Sequence, residues 1–117
     1  TIRTDANWLF FNIEGLSSDP RLETAMSMLI AQAMSERASG KSGQPSITVL
    51  DECWALLESP VLADCVVQLF RTARKRGASV WGISQTLEDF VGTKQRPKEH
   101  GAGILRNTSV KVIGQQP

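Results

Sequence analysis

The sequence predicts an α/β domain, a mostly parallel sheet with helices over its faces. Three observations carry this. Short runs rich in β-branched and aliphatic residues alternate with longer stretches whose apolar residues recur every three or four positions. Both long helical stretches open on the same device, a small polar residue followed by proline, at Asp19-Pro20 and Ser59-Pro60. The run Ile47-Thr48-Val49-Leu50 stops at two adjacent carboxylates, Asp51 and Glu52, as a buried strand does when it delivers acid groups to the edge of a parallel sheet.

In chain order, Trp8-Leu9-Phe10-Phe11-Asn12-Ile13 is almost continuously apolar and Gly15 stops it, which predicts a buried strand over residues 7–14 with Glu14 at its end. Asp19 then serves as N-cap and Pro20 as first residue of a helix. Its apolar stripe is Leu22, Ala25, Met26, Leu29, Ile30, Ala33 and Met34, and it ends before Gly40. Gly40-Lys41-Ser42 has the ending of a phosphate-binding loop but not its setting. The full pattern needs a glycine five positions before Gly40, where Ser35 stands, and a strand before the loop with a helix after it. Here a helix precedes and a strand follows, so these residues read as a helix cap and solvated loop.

The strand over residues 47–51 comes next. A second helix follows Ser59-Pro60, with Val61, Leu62, Cys65, Val66, Leu69, Phe70 and Ala73 on its stripe, and closes in Arg74-Lys75-Arg76-Gly77. Cations at that end complement the helix dipole, and Gly77 is suited to the left-handed cap. Ala78 to Ile83 reads as a third strand ending in Ser84 and Gln85, and Thr86 caps a short helix through Phe90. Residues 91–103, with Gly92, Pro97, Gly101 and Gly103, read as a loop that holds Lys94, Arg96, Lys98 and the lone His100. Ser109-Val110-Lys111-Val112-Ile113-Gly114 reads as a fourth strand.

At 117 residues and 41% hydrophobic content, the chain suits one domain with one core. Thirteen Lys and Arg against twelve Asp and Glu leave +1, which excludes a globally basic nucleic-acid binder. Two cysteines, Cys53 and Cys65, are too few for a disulfide framework and read as reduced, structural thiols of a cytoplasmic protein. No apolar run approaches the roughly 18 residues of a membrane span. The chain does not begin with Met and its first apolar run reads as an interior strand, so a piece of a longer protein is expected.

In an α/β sheet the ligand lies beyond the C-terminal strand ends. That edge collects Glu14, Asp51, Glu52, Ser84 and Gln85. In phosphate-loop nucleotide hydrolases, the first carboxylate of such a pair holds Mg²⁺ and the second polarises the attacking water. A neutral amide at Gln85 can bond the γ-phosphate or the water without adding negative charge. Arg74 is placed to meet phosphate charge in a neighbouring subunit.

Three segments also carry a family resemblance, Val49-Leu50-Asp51-Glu52-Cys53-Trp54-Ala55-Leu56-Leu57, Arg71 to Val80, and Ile83-Ser84-Gln85-Thr86-Leu87-Glu88-Asp89. They resemble the C-terminal ATPase lobe of conjugal-transfer ATPases of type IV secretion systems, over nearly the whole chain from Trp8 to Gln115. The resemblance implies a partial RecA-like fold and ATP hydrolysis with Mg²⁺ in the parent protein. It also implies a hexamer at the cytoplasmic face of the inner membrane, energising pilus assembly or substrate transfer together with other secretion-system components. By match to its motifs, Asp51 and Glu52 form the Walker B pair, with Asp51 on Mg²⁺, Gln85 is the sensor, and Arg74 is a candidate arginine finger. The family's Walker A loop is not matched anywhere in this chain, so the chain by itself is expected to be inactive and not to retain ATP or Mg²⁺. Its Walker A strand would lie beside the strand carrying Gln85, and without it a sheet edge is left to pair with another chain. Two rival readings remain. One is a DNA-translocating or coupling ATPase of the same clan. The other is a non-catalytic interaction module acting through the basic stretch from Arg71 to Lys98, which holds seven of the thirteen basic residues.

Overall fold

The structure, a computed structural model, describes residues 6–13, 18–39 and 43–115. Its elements are helix α1 (Pro20–Ala38), strand β1 (Ser46–Leu50), the one-turn helix α2 (Cys53–Leu56), helix α3 (Pro60–Thr72) continued by a 3₁₀ turn (Ala73–Arg76), strand β2 (Ala78–Gly82), the one-turn helix α4 (Glu88–Val91), and helix α5 (Glu99–Asn107). The arrangement is α/β. β1 and β2 form a two-stranded parallel sheet, in register from Ser46 opposite Ala78 to Leu50 opposite Gly82. Parallel neighbours require a crossover, and α2 and α3 supply it. Among the described residues no helix is long and apolar enough to cross a membrane.

The two proline-led helices begin where their caps place them. Asp19 Oδ1 accepts from the backbone N–H of Arg21 at 2.9 Å and of Leu22 at 3.4 Å, and Pro20 occupies the first turn, where its missing N–H has no partner to lose. Ser59 caps α3 by its extended backbone without a side-chain bond. Ile30, Ala33, Met34 and Ala38 of α1 meet Leu62, Val66, Val67 and Leu69 of α3 in and around a core that Leu50, Cys53, Leu56 and Ile104 complete. The α1 stripe is narrower than its spacing predicts, since Leu22 and Leu29 face outward with Met28. Gly77 takes the left-handed conformation (φ 69°) that ends the basic 3₁₀ turn, and its N–H bonds the Ala73 carbonyl. Helix α1 is closed by Ser39, whose Oγ donates to the Glu36 carbonyl at 2.6 Å. Glu14 and Gly40-Lys41-Ser42 lie outside the described residues.

Three expected elements differ. Residues 8–13 join no ladder among the described residues, although exposed Trp8, Phe10 and Asn12 alternate with half-buried Leu9, Phe11 and Ile13 as in a strand. Phe11 and Ile13 pack against the core, while Trp8 and Phe10 stack on each other outside it, ring centroids 6.2 Å apart. Residues 99–103, the last part of the loop expected over 91–103, instead open α5, because Gly101 is the contact point with α4 rather than a breaker: a Cβ there would lie 1.7 Å from the Phe90 carbonyl oxygen. His100 therefore sits on α5, its Nε2 3.3 Å from Asp64 of α3. The third difference is at residues 109–114, which follow α5 without a ladder partner among the described residues.

Among the described residues the sheet is covered on one face only. Leu50, Val80 and Ala78 point into the core, while Ile47 (71% exposed), Val49 (55%), Trp81 (59%) and Ile83 (46%) look outward. Parallel sheets ordinarily bury both faces.

Candidate functional site

The turn after β1 is fixed by the backbone of the chain beyond β2. Ile83 N–H donates to the Leu50 carbonyl and Cys53 N–H to the Ile83 carbonyl, both at 2.9 Å, so the ladder continues past the strands and clamps Asp51 and Glu52 between them. Glu52 turns into the left-handed region (φ 49°, ψ 46°) and α2 starts at once, with Ala55 N–H on the Glu52 carbonyl. Glu52 is the one non-glycine residue at positive φ among the described residues. That conformation costs about 1–2 kcal/mol for an L-residue, and such strain is concentrated at functional sites.

The side chains converge as the strand ends predict. Gln85 Nε2 donates to Glu52 Oε1 at 3.0 Å, across 33 residues of sequence, and Trp54 Nε1 donates to Glu52 Oε2. Asp51 Oδ1 accepts the N–H of Glu52 at 3.0 Å. All three residues, Asp51, Glu52 and Gln85, are solvent-exposed at the C-terminal edge of the sheet. Arg74 is not brought to them. It lies in the 3₁₀ turn that leads into β2, hence at the opposite edge, roughly 15 Å away along a five-residue strand. Ser84 also turns aside, its Oγ donating to Asp89 Oδ2 at 2.6 Å.

Asp89 was not among the site residues the sequence singled out, yet it holds the Gln85 turn. Its Oδ2 also accepts the N–H of Thr86 at 3.0 Å, and Thr86 Oγ1 accepts the N–H of Asp89 at 3.3 Å. This is a reciprocal cap, and the spacing Thr86-x-x-Asp89 was its signal. The Ser84 hydroxyl, and after it the Thr86 N–H, hold the Asp89 carboxyl below the usual carboxylate range. Trp54, which belongs to the resembling segment after the acid pair, takes part in orienting Glu52 through its indole N–H.

Beside the acid pair opens a cleft of about 530 Å³. Phe11, Ile13 and Trp54 give it apolar walls, and Glu23 and Glu58 bring its carboxylates to four with Asp51 and Glu52. No Lys or Arg is among its described lining residues. Its described charged lining is acidic throughout. It suits hard cations, for which carboxylate oxygens are the natural ligands. Among the described residues no three His, Cys, Asp or Glu converge as a complete metal cage. Mg²⁺ does not need one, since it is commonly bound by one or two carboxylates with water and substrate phosphate oxygens. Both cysteines are free, and burial pushes the Cys53 thiol, beneath the acid turn, up to about 11.

No family model matches the chain, and no curated protein or solved structure is similar to it at a significant level.

Proposed function

We propose that this chain supplies the Walker B half of an ATPase site, within a larger RecA-like protein that energises type IV secretion or conjugative transfer. The observation that carries the reading is the Gln85-to-Glu52 hydrogen bond at 3.0 Å, which joins the ends of two parallel strands at the edge where α/β sheets take their ligands. Asp51 would hold Mg²⁺ through its carboxylate, and Glu52 would orient water and take up its proton. Gln85 and Trp54 keep the Glu52 carboxylate aimed, and the Asp89 cap keeps Gln85 in place. When bound with ATP, the metal supplies charge neutralisation at the phosphates. The acidic cleft makes a separate cationic phosphate loop indispensable, and Gly40-Lys41-Ser42 has the wrong neighbours for one. That loop is therefore expected elsewhere in the parent, as a strand, a glycine-rich turn ending in Lys-Ser or Lys-Thr, and a helix. Arg74, remote from Glu52 within one copy, is available to the site of a neighbouring subunit in a ring. A cytoplasmic location at the inner membrane, a hexameric state and contacts with other secretion components belong to the same proposal.

The test is ATP turnover by the longer reading frame that contains this chain. Glu52→Gln is expected to lower turnover at least about a hundredfold while nucleotide binding persists, and the isolated 117-residue chain is expected to show none. Glu52-dependent hydrolysis by the isolated chain, or a parent without a phosphate loop, overturns the reading. Turnover stimulated by DNA would move it to the DNA-translocating members of the same clan.

A further inference from the structure

The acidic cleft holds more than the proposed Mg²⁺ site uses. Glu52 is bound by Gln85 and Trp54, and Asp51 by the turn it begins. The other two carboxylates of its lining are Glu23, half-buried in the first turn of α1, and Glu58, just before α3. Among the described residues neither of these carboxylates has a hydrogen bond or an ion pair. Ser27 lies one turn after Glu23 on the same face of α1 and also lines the cleft. It is 3% exposed, and its hydroxyl has no hydrogen-bond partner among the described residues. A buried hydroxyl left unpaired costs free energy, so it marks a place where a polar partner is accepted. Ser59 adds a second hydroxyl to the lining, because it starts α3 without the side-chain bond that an N-cap serine ordinarily makes.

The lining decides the chemistry of that partner. With carboxylates and no described Lys or Arg around the cleft, charge complementarity selects a cation. Among the described residues no three His, Cys, Asp or Glu converge to hold a metal ion. The carboxylates stand instead around apolar walls from Phe11, Ile13 and Trp54, which suits an organic cation on an apolar stem. A guanidinium meets all of these demands. Its planar fork of donors serves carboxylates and hydroxyls at once, its charge is permanent, and its flat face stacks on aromatic rings. The space, about 530 Å³, is that of a ligand cleft. The run that supplies Phe11 also holds Trp8 and Phe10, 76% and 82% exposed and stacked on each other outside the core. Exposed aromatics of this kind are enriched at protein interfaces, so the cation belongs to a protein.

We propose that the cleft between α1 and the acid turn receives an arginine side chain of a partner protein. The guanidinium donates to the Glu23 and Glu58 carboxylates and to Ser27 Oγ, and the arginine stem lies along Phe11 and Trp54. Residues flanking that arginine cover Trp8 and Phe10. The site needs Glu23, Ser27 and Glu58, and neither Mg²⁺ nor ATP, so it stands or falls apart from the ATPase reading.

The test is an NMR titration of the isotope-labelled 117-residue chain with acetyl-Leu-Arg-Leu-amide and with the same peptide carrying citrulline or lysine in place of arginine. Citrulline keeps the shape of arginine and removes its charge. The arginine peptide is expected to shift the Trp54 indole N–H and the amides of Ser27 and Glu58. It should bind at least about tenfold more tightly than the citrulline peptide, and more tightly than the lysine one. Glu23→Gln and Glu58→Gln should each weaken it at least about threefold. Ser27→Ala should weaken it as well, yet leave the urea midpoint of the free chain unchanged or raised, because no hydrogen bond within the chain is lost. That combination separates a ligand-binding hydroxyl from a structural one. Equal affinity for the arginine and citrulline peptides or for the arginine and lysine ones, shifts confined to other faces, binding that the three variants leave intact, or a Ser27→Ala loss of stability overturns the proposal. So do tighter binding of spermidine at the same residues, which would make the occupant a free polyamine, and cleft shifts on concentrating the chain alone, which would make it a second copy.

Discussion

Gly101 and Gly103 stand two residues apart in α5, and the structure gives their replacement by alanine opposite signs. At Gly101 a Cβ would lie 1.7 Å from the Phe90 carbonyl oxygen, 2.4 Å from its carbonyl carbon and 2.7 Å from its Cα. These are backbone atoms of α4, which cannot swing aside as a side-chain end does, so α5 must move by more than about 1 Å to restore ordinary contact. Overpacking of this kind costs about 1–3 kcal/mol. The shift also draws Ile104, 2% exposed, partly out of the core, and full burial of such a side chain is worth about 1.5–3 kcal/mol. We expect Gly101→Ala to destabilise by about 2–5 kcal/mol, a large part of the 5–15 kcal/mol of a typical domain, and to lower Tm by roughly 10–20 °C. At Gly103 the nearest heavy atom to a Cβ is Val67 Cγ1 at 3.8 Å, an ordinary contact. Gly103→Ala then keeps the helix-propensity gain and stabilises by about 0.5–1 kcal/mol. The assay is urea unfolding followed by far-UV circular dichroism at concentrations where the chain is monomeric. A Gly101→Ala midpoint equal to that of the unsubstituted chain, or a Gly103→Ala loss as large as that of Gly101→Ala, refutes the packing of α4 on α5 described above.

Two further outcomes test the site. The Asp89 carboxyl titrates below its ordinary range because its charged form takes the Ser84 and Thr86 hydrogen bonds; its contribution is complete above the unfolded-state value of about 4 and is lost as pH falls through the lowered one. Side-chain amide resonances of Gln85 should therefore lose their folded shifts on acidification, and Asp89→Asn should show that change already at neutral pH; shifts of Asp89→Asn that match the unsubstituted chain count against the cap. At Glu52, positive φ makes glycine the easier occupant. Glu52→Gly should exceed Glu52→Ala in stability by about 1 kcal/mol in urea unfolding, whereas an alanine variant as stable as the glycine one removes the strain at this position.

What could be read from the sequence is what local chemistry decides. Asp19-Pro20, Ser59-Pro60 and Gly77 each satisfy backbone groups within a few residues of themselves, so their helices begin and end where the spacing places them. Gly101 shows the opposite case. Its composition reads as a loop, and only the backbone of Phe90, eleven positions earlier, explains why a helix there requires a residue without Cβ. The β-rich runs at residues 8–13 and 109–114 fail for another reason: strand propensity measures fit to a pleated surface, and the surface must be supplied by a partner. The pairing of Glu52 with Gln85 was legible because parallel strands joined by a helix bring their C-terminal ends to one edge. The same rule places Arg74, which precedes β2, at the other edge, away from Glu52 and Gln85. No local signal announces the left-handed turn at Glu52. It accompanies two ladder bonds, Ile83 N–H to the Leu50 carbonyl and Cys53 N–H to the Ile83 carbonyl, which pin both ends of a two-residue turn from which the Glu52 carboxylate meets Gln85.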